Sequence, residues 1–178
     1  MTVSLGRAPS AVIHFQYIAG NGLLRTTSSL ETYISTNSSN PRRKRIIFTG
    51  GEPALQDLGT IGRELKKSGF HLSIETNGTI PIDSVIDWIC VSPKDQLYPN
   101  APIRQRSGDE LKVVYCGQDL SMYDELRTGF EHHFLQPCYI ESDTIEENGS
   151  SFKLVESIVK ENPEWRLSLQ THKWMGVL

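Results

Sequence analysis

Four short segments carry the residue types that can do chemistry. Thr49-Gly50-Gly51-Glu52-Pro53 sets two glycines and a carboxylate between an apolar run and a proline. Glycines let the backbone approach a ligand closely and adopt positive φ. A helix beginning at Pro53 aims free N–H groups at the same place, and Glu52 supplies a carboxylate for an ammonium group. The same residues also suit a tight strand-to-helix turn with a solvated Glu. In Glu75-Thr76-Asn77-Gly78, the preceding run puts His71, Ser73 and Glu75 on one face and Leu72 and Ile74 on the other. That polar face suits a wet ligand cavity, or an edge strand closed by an Asn-Gly turn. Ser92-Pro93-Lys94 is stiffened by its proline, which holds Ser92 extended and aims a hydroxyl and an ammonium. Gln136-Pro137-Cys138-Tyr139 repeats that logic, and each of these two is also compatible with an ordinary turn. The tail Gln170 to Leu178 mixes polar and aromatic residues; it either frames a pocket with its terminal carboxylate or seals an apolar layer.

Regular elements must position these segments. Ile46 to Thr49, His71 to Glu75, Ile86 to Val91, Leu111 to Tyr115, His133 to Leu135 and Arg166 to Gln170 read as strands, and Ala11 to Phe15 as an earlier one. Leu55, Leu58, Ile61 and Leu65 predict one helix from Pro53, ending at Gly69, with Gly59 and Gly62 allowing close packing on a sheet. Met122, Leu126 and Phe130 predict a second helix face. Phe152, Val155 and Val159 predict a third, capped by Ser150 or Ser151 and stopped by Pro163. Thr26 to Tyr33 reads as the start of a short helix. Strands alternating with helices imply βαβ units and a mostly parallel sheet, with ligands gathered at the carboxyl ends of the strands.

Composition narrows the classes. The chain has 178 residues, room for one domain with a sizeable core. It carries 18 Lys+Arg against 21 Asp+Glu, a net −3, which argues against a nucleic-acid partner. The run Arg42 to Arg45 reads as a solvated linker. No apolar run approaches the ~18 residues of a membrane span, and no signal-peptide pattern opens the chain. Three widely spaced cysteines make no disulfide framework, so a cytoplasmic location is expected. The organisation expected is an irregular segment, 1–45, ahead of one domain, 46–178.

The order of the segments then carries a resemblance. Phe48-Thr49-Gly50-Gly51-Glu52-Pro53 resembles the glycine-rich element of radical S-adenosylmethionine enzymes. Together with Ile74 to Gly78, Ser92-Pro93-Lys94, Leu111 to Val114, Leu135-Gln136-Pro137 and Trp165 to Lys173, it is similar to the 7-carboxy-7-deazaguanine synthases over Ile46 to Leu178. That resemblance implies an α/β fold, a partial (β/α) barrel of the radical S-adenosylmethionine type with its first unit missing or degraded. It implies a carbon–nitrogen lyase that converts 6-carboxy-5,6,7,8-tetrahydropterin to 7-carboxy-7-deazaguanine, with loss of ammonia, on the route to queuosine. The implied cofactors are S-adenosylmethionine, a [4Fe–4S] cluster and Mg²⁺, and the implied assembly is a homodimer. Thr49 and the Leu178 carboxylate are expected to contact the pterin. Gly51, Glu52, Ser92, Pro93, Lys94, Gln136, Pro137, Cys138 and Tyr139 are expected to contact S-adenosylmethionine.

The sequence departs from that pattern in one respect. The family's cluster is held by three closely spaced cysteines upstream of the Gly-Gly-Glu-Pro element, and no cysteine lies between Met1 and Thr49. Cys90, Cys116 and Cys138 are too scattered to read as a replacement, and His132-His133 with Cys138 fails as a zinc site because adjacent strand residues face opposite ways. No residue is therefore assigned a catalytic or metal-ligand role. A coding region truncated, mis-started or frameshifted at its 5′ end is expected, giving a protein impaired as an isolated chain. The alternatives are a cluster-free nucleoside- or pterin-binding module and a non-functional truncated product.

Overall fold

The computed structural model describes residues 2–4, 11–14, 45–94, 101–140 and 144–175. The expected helix start at Thr26 to Tyr33, the basic run through Lys44 and the Leu178 carboxylate lie outside them. The chain divides into two compact units: Met1–Cys90 with Pro102–Gln105, and Val91–Ala101 with Arg106–Leu178.

In the first unit β1 (Thr2–Ser4) pairs antiparallel with β2 (Ala11–His14), with Val3 opposite Ile13. β2 pairs parallel with β3 (Arg45–Thr49), with His14 opposite Thr49. β3 pairs parallel with β4 (His71–Thr76), with Phe48 opposite Ile74. A parallel pair needs a crossover, and α1 (Leu58–Lys67) supplies it. Period-2 alternation buries Ile46 and Phe48 from β3 and Leu72 and Ile74 from β4, and the α1 stripe Leu58, Ile61 and Leu65 joins them in one core.

The helix expected from Pro53 is interrupted. Pro53–Leu55 forms a single 3₁₀ turn and leaves Leu55 58% exposed, outside the apolar stripe. Asp57 then starts α1 afresh, accepting the Thr60 amide at 3.2 Å and the Thr60 hydroxyl at 2.7 Å. A side chain that caps so well makes Asp57 the boundary rather than an interior residue. Gly69 ends the helix as expected, at φ 80°. The helix glycines meet a loop more closely than the sheet: a Cβ on Gly62 would fall 2.7 Å from Val85 Cγ1 and 3.4 Å from Leu72 Cδ1, and one on Gly59 would collide with the Asp83 carboxylate. Asp87 closes the connection to β5 (Trp88–Val91), accepting the Leu72 amide at 2.8 Å and Lys66 Nζ at 2.5 Å.

In the second unit β6 (Gly108–Tyr115) pairs parallel with β7 (Phe130–Pro137), and β7 with β8 (Arg166–Leu167). Leu111, Val113, Leu135 and Val155 are almost wholly buried, joined by Tyr123, Leu126, Phe130 and Trp165. The expected helix face of Met122, Leu126 and Phe130 is overturned. A 3₁₀ turn, Leu120–Tyr123, and the short α2 (Asp124–Arg127) put Tyr123 inside, leave Met122 46% exposed, and let Phe130 open β7. Gly129 makes the corner: its carbonyl accepts the Gly108 amide at 3.0 Å, and a Cβ there would overlap the Arg106 carbonyl.

α3 (Ile145–Glu161) begins well before the expected caps Ser150 and Ser151. Thr144 and Glu147 form a reciprocal capping box, the Glu147 amide donating to Thr144 Oγ1 at 3.2 Å and the Thr144 amide to Glu147 Oε2 at 2.8 Å. Asn148, 2% exposed inside the helix, pairs with both backbone groups of Ile140 at 3.0 Å. β8 covers only two residues of the expected strand to Gln170, and α4 (Thr171–Trp174) follows.

Candidate functional site at the strand ends

In the first unit the site is built on the carboxyl ends of β3 and β4. Gly50 and Gly51 take φ 82° and 48°, conformations that side chains rarely adopt, directly after half-buried Thr49. Glu52 holds this turn. Its Oε1 accepts the Ala54 amide at 3.0 Å and the Thr76 hydroxyl at 2.7 Å, and its Oε2 accepts the Asn77 amide at 2.7 Å. Thr76 is 3% exposed and its oxygen in turn accepts the Gly78 amide at 3.1 Å. Asn77 Oδ1 accepts both the amide and the hydroxyl of Thr79, at 2.8 and 2.7 Å. The Gly78 carbonyl accepts the Arg104 and Gln105 amides at 2.8 and 2.9 Å. One carboxylate thus riveted to two strand ends explains the Gly-Gly-Glu-Pro spacing in physical terms. His71, Ser73 and Glu75 share a half-buried face as expected, opposite buried Leu72, Ile74 and Thr76.

In the second unit Ser92 and Pro93 are buried, and half-buried Lys94 donates to Ser92 Oγ at 2.7 Å. Gln136, 8% exposed, and Pro137 end β7; Cys138 and Tyr139 follow. The Lys173 ammonium lies 5.1 Å from the centre of the Tyr139 ring, and Asn148 anchors Ile140 just beyond. The segment Gln136–Tyr139 is therefore fixed at both ends. Cys116, just past the end of β6, has Cys138 as its neighbouring thiol. Loss of water around that thiol pushes its pKa up, the neighbouring Cys138 adds to the rise, and the Lys94 ammonium opposes it.

The structure brings Glu52 together with Thr76 and Asn77, Ser92 with Lys94, Tyr139 with Lys173, and Cys116 with Cys138. Sequence reasoning did not find the Glu52–Thr76 bond or the anchoring by Asn148. A signal for the first existed: Thr76 ends a strand whose alternation makes it inward-facing, so a buried hydroxyl there needs a partner. His132 and His133 form no site with Cys138. The His133 ring contacts the carbonyl oxygens of Glu164 at 3.3 Å, Arg127 at 3.0 Å and Phe130 at 3.1 Å, and stacks edge-on to Trp165.

The cysteines do not match the donor set of a [4Fe–4S] cluster. Cys116 and Cys138 make two adjoining thiols and Cys90 is 2% exposed within β5. Among the described residues no group of three His, Cys, Asp or Glu side chains is disposed to hold a metal ion.

Parallel strands joined by helices, with stiffened polar segments at their carboxyl ends, define an α/β protein. No family model matches the sequence. The 7-carboxy-7-deazaguanine synthase of Bordetella pertussis is 40% identical over 138 residues, 78% of this chain and 61% of that protein. The synthase of Neisseria meningitidis serogroup B is 34% identical over 167 residues, 88% of this chain and 72% of that protein. The crystal structure of QueE from Escherichia coli is similar with a TM-score of 0.60 and 27% identity, covering 82% of this chain and 64% of that one. The chain belongs to the 7-carboxy-7-deazaguanine synthase family, and its α/β fold is the one the resemblance implied. It spans about three fifths of the length of the Bordetella and Burkholderia relatives.

Proposed function

We propose that this chain is the ligand-holding part of a 7-carboxy-7-deazaguanine synthase, a carbon–nitrogen lyase by descent, and that alone it binds S-adenosylmethionine and a 6-carboxypterin without a cluster. The Glu52 rivet carries this reading, because it holds Gly50 and Gly51 in a conformation that bares backbone at a strand end. Thr49 presents its hydroxyl to the pterin from the last position of β3, and the Leu178 carboxylate is assigned the same ligand.

Gly51 lets the nucleoside approach the main chain. Glu52 positions that turn with the three acceptor contacts described. Ser92 and Pro93 fix Lys94, whose ammonium suits the ligand's carboxylate. Gln136 to Tyr139 form the adenosyl-facing segment, held by Lys173 and Asn148. When bound, S-adenosylmethionine supplies the family reaction with its 5′-deoxyadenosyl group. No radical step is assigned to the isolated chain, since its thiols do not form a cluster ligand set. A cytoplasmic homodimer completes the reading; no helix among the described residues is long and apolar enough to cross a membrane.

Calorimetric titration with S-adenosylmethionine tests it. Saturable binding is expected, weakened about tenfold or more in Lys94→Ala, the loss of one charge-assisted contact. Silence at millimolar ligand overturns the binding role. Anaerobic incubation with iron and sulfide is expected to leave the chain without a stoichiometric cluster; a formed cluster overturns the cluster-free part.

A further inference from the structure

Two thiols lie outside the roles derived above. β6 and β7 are parallel neighbours, and their register runs to Tyr115 opposite Pro137. The next residues are Cys116 and Cys138, each one step past the end of that ladder. Neighbouring strands lie about 4.8 Å apart, and disulfides join Cα atoms about 4.4–6.8 Å apart. The Cys138 thiol lies close enough to help raise the Cys116 pKa, and both thiols are free. Cys116 is exposed and Cys138 half-buried, so a small reagent reaches the first and leaves the second as resolving group. Gly117, at φ 93° with nothing within 4 Å of a Cβ, gives the chain beside Cys116 room to adjust.

We propose that Cys116 and Cys138 form a redox-active dithiol, which a low-molecular-weight disulfide converts to an intramolecular disulfide across the ends of β6 and β7. The Cys116 thiolate attacks one sulfur of the reagent, forming a mixed disulfide and expelling one thiolate. The Cys138 thiolate attacks the Cys116 sulfur and expels the second. In sum two protein thiols and one R–S–S–R become one protein disulfide and two R–SH; the protein is oxidised by two electrons and the reagent reduced by two. The raised thiol of Cys116 makes the closure faster in mildly alkaline solution than near neutrality.

The test uses the full chain, reduced, desalted without oxygen and exposed to glutathione disulfide. Intact mass is expected to fall by two hydrogens, reversibly with dithiothreitol, and peptide mapping to link Cys116 with Cys138. Cys138→Ser is expected to stop at one stable glutathione adduct on Cys116, and Cys116→Ser to stay without an adduct. Cys90, buried in β5, is expected to resist iodoacetamide in the folded chain. A chain that stays reduced, carries separate adducts on both cysteines, or links Cys90 overturns the proposal. The mass reading does not depend on whether the chain binds a nucleoside, so its failure is distinct from failure of the proposed function.

Discussion

Glu52→Gln is the sharpest probe of the strand-end turn. The carboxylate accepts three hydrogen bonds, from Ala54 N–H at 3.0 Å, Thr76 O–H at 2.7 Å and Asn77 N–H at 2.7 Å. An amide has one acceptor oxygen and one donor NH₂. With the oxygen facing Ala54 and Thr76, the NH₂ meets the Asn77 N–H; flipped, it meets the other two donors. In the flipped case the Thr76 hydroxyl can turn to accept from the NH₂, but the Ala54 N–H still faces a donor. At least one partly buried backbone N–H is left unpaired, costing about 1–3 kcal/mol. Lost charge assistance adds about 1 kcal/mol. For a chain of this length a total of about 2–4 kcal/mol lowers Tm by roughly 4–12 °C. Scanning calorimetry reads this directly, and a double-mutant cycle with Thr76→Val is expected to show coupling of about 1 kcal/mol or more. A Glu52→Gln chain melting within about 1 °C of the parent, or strictly additive with Thr76→Val, refutes the rivet.

Other substitutions test the remaining supports. Gly129→Ala drives a Cβ into the Arg106 carbonyl, backbone against backbone, and is expected to lose about 3 kcal/mol in urea denaturation, the upper part of the usual overpacking range. Asn148→Ala strips both partners from the Ile140 backbone and is expected to cost about 1–3 kcal/mol and to raise hydrogen exchange at Ile140. Burial raises the Asp87 carboxyl, but Lys66, the Leu72 amide and His71 outweigh it and hold the group below its ordinary value. A depressed carboxyl contributes stability that is full above the unfolded pKa of about 3.9 and is lost as pH falls through the folded one. Thermal melts of the parent between mildly acidic and strongly acidic buffer are expected to fall more steeply than those of Asp87→Asn; parallel curves refute the assignment.

What sequence could show, and what it could not, follows from the range of the interactions. β3, β4 and β6 were legible because alternation is local and Gly-Gly, Asn-Gly and Cys-Gly punctuate their ends. The strand-end segments were legible as stiff and polar. Their partners were not: Glu52 and Thr76 are 24 residues apart, and nothing in either neighbourhood names the other. Helix starts failed where side-chain caps competed. Asp57 cut the helix expected from Pro53. In the other unit the Thr144–Glu147 capping box began α3 ahead of Ser150 and Ser151, the caps that the sequence offered, and Asn148 inside the helix satisfies the Ile140 backbone. Met122 misled because the 3₁₀ turn shifts the buried position to Tyr123.

The placement of Asn148 ahead of Gly149 has a chemical corollary. In a slack chain an asparagine followed by glycine cyclises to a succinimide when the next amide nitrogen attacks the side-chain carbonyl and expels ammonia, and water opens the product to aspartate or isoaspartate. Here the amide is pinned to Ile140 and Thr144 and the backbone is helical, so the attacking geometry is denied until this stretch opens. Slow ageing at this dipeptide therefore serves as a clock for opening of α3; each tick is irreversible because the expelled ammonia does not return, and the new carboxylate cannot give the Ile140 carbonyl the hydrogen bond that the amide gave.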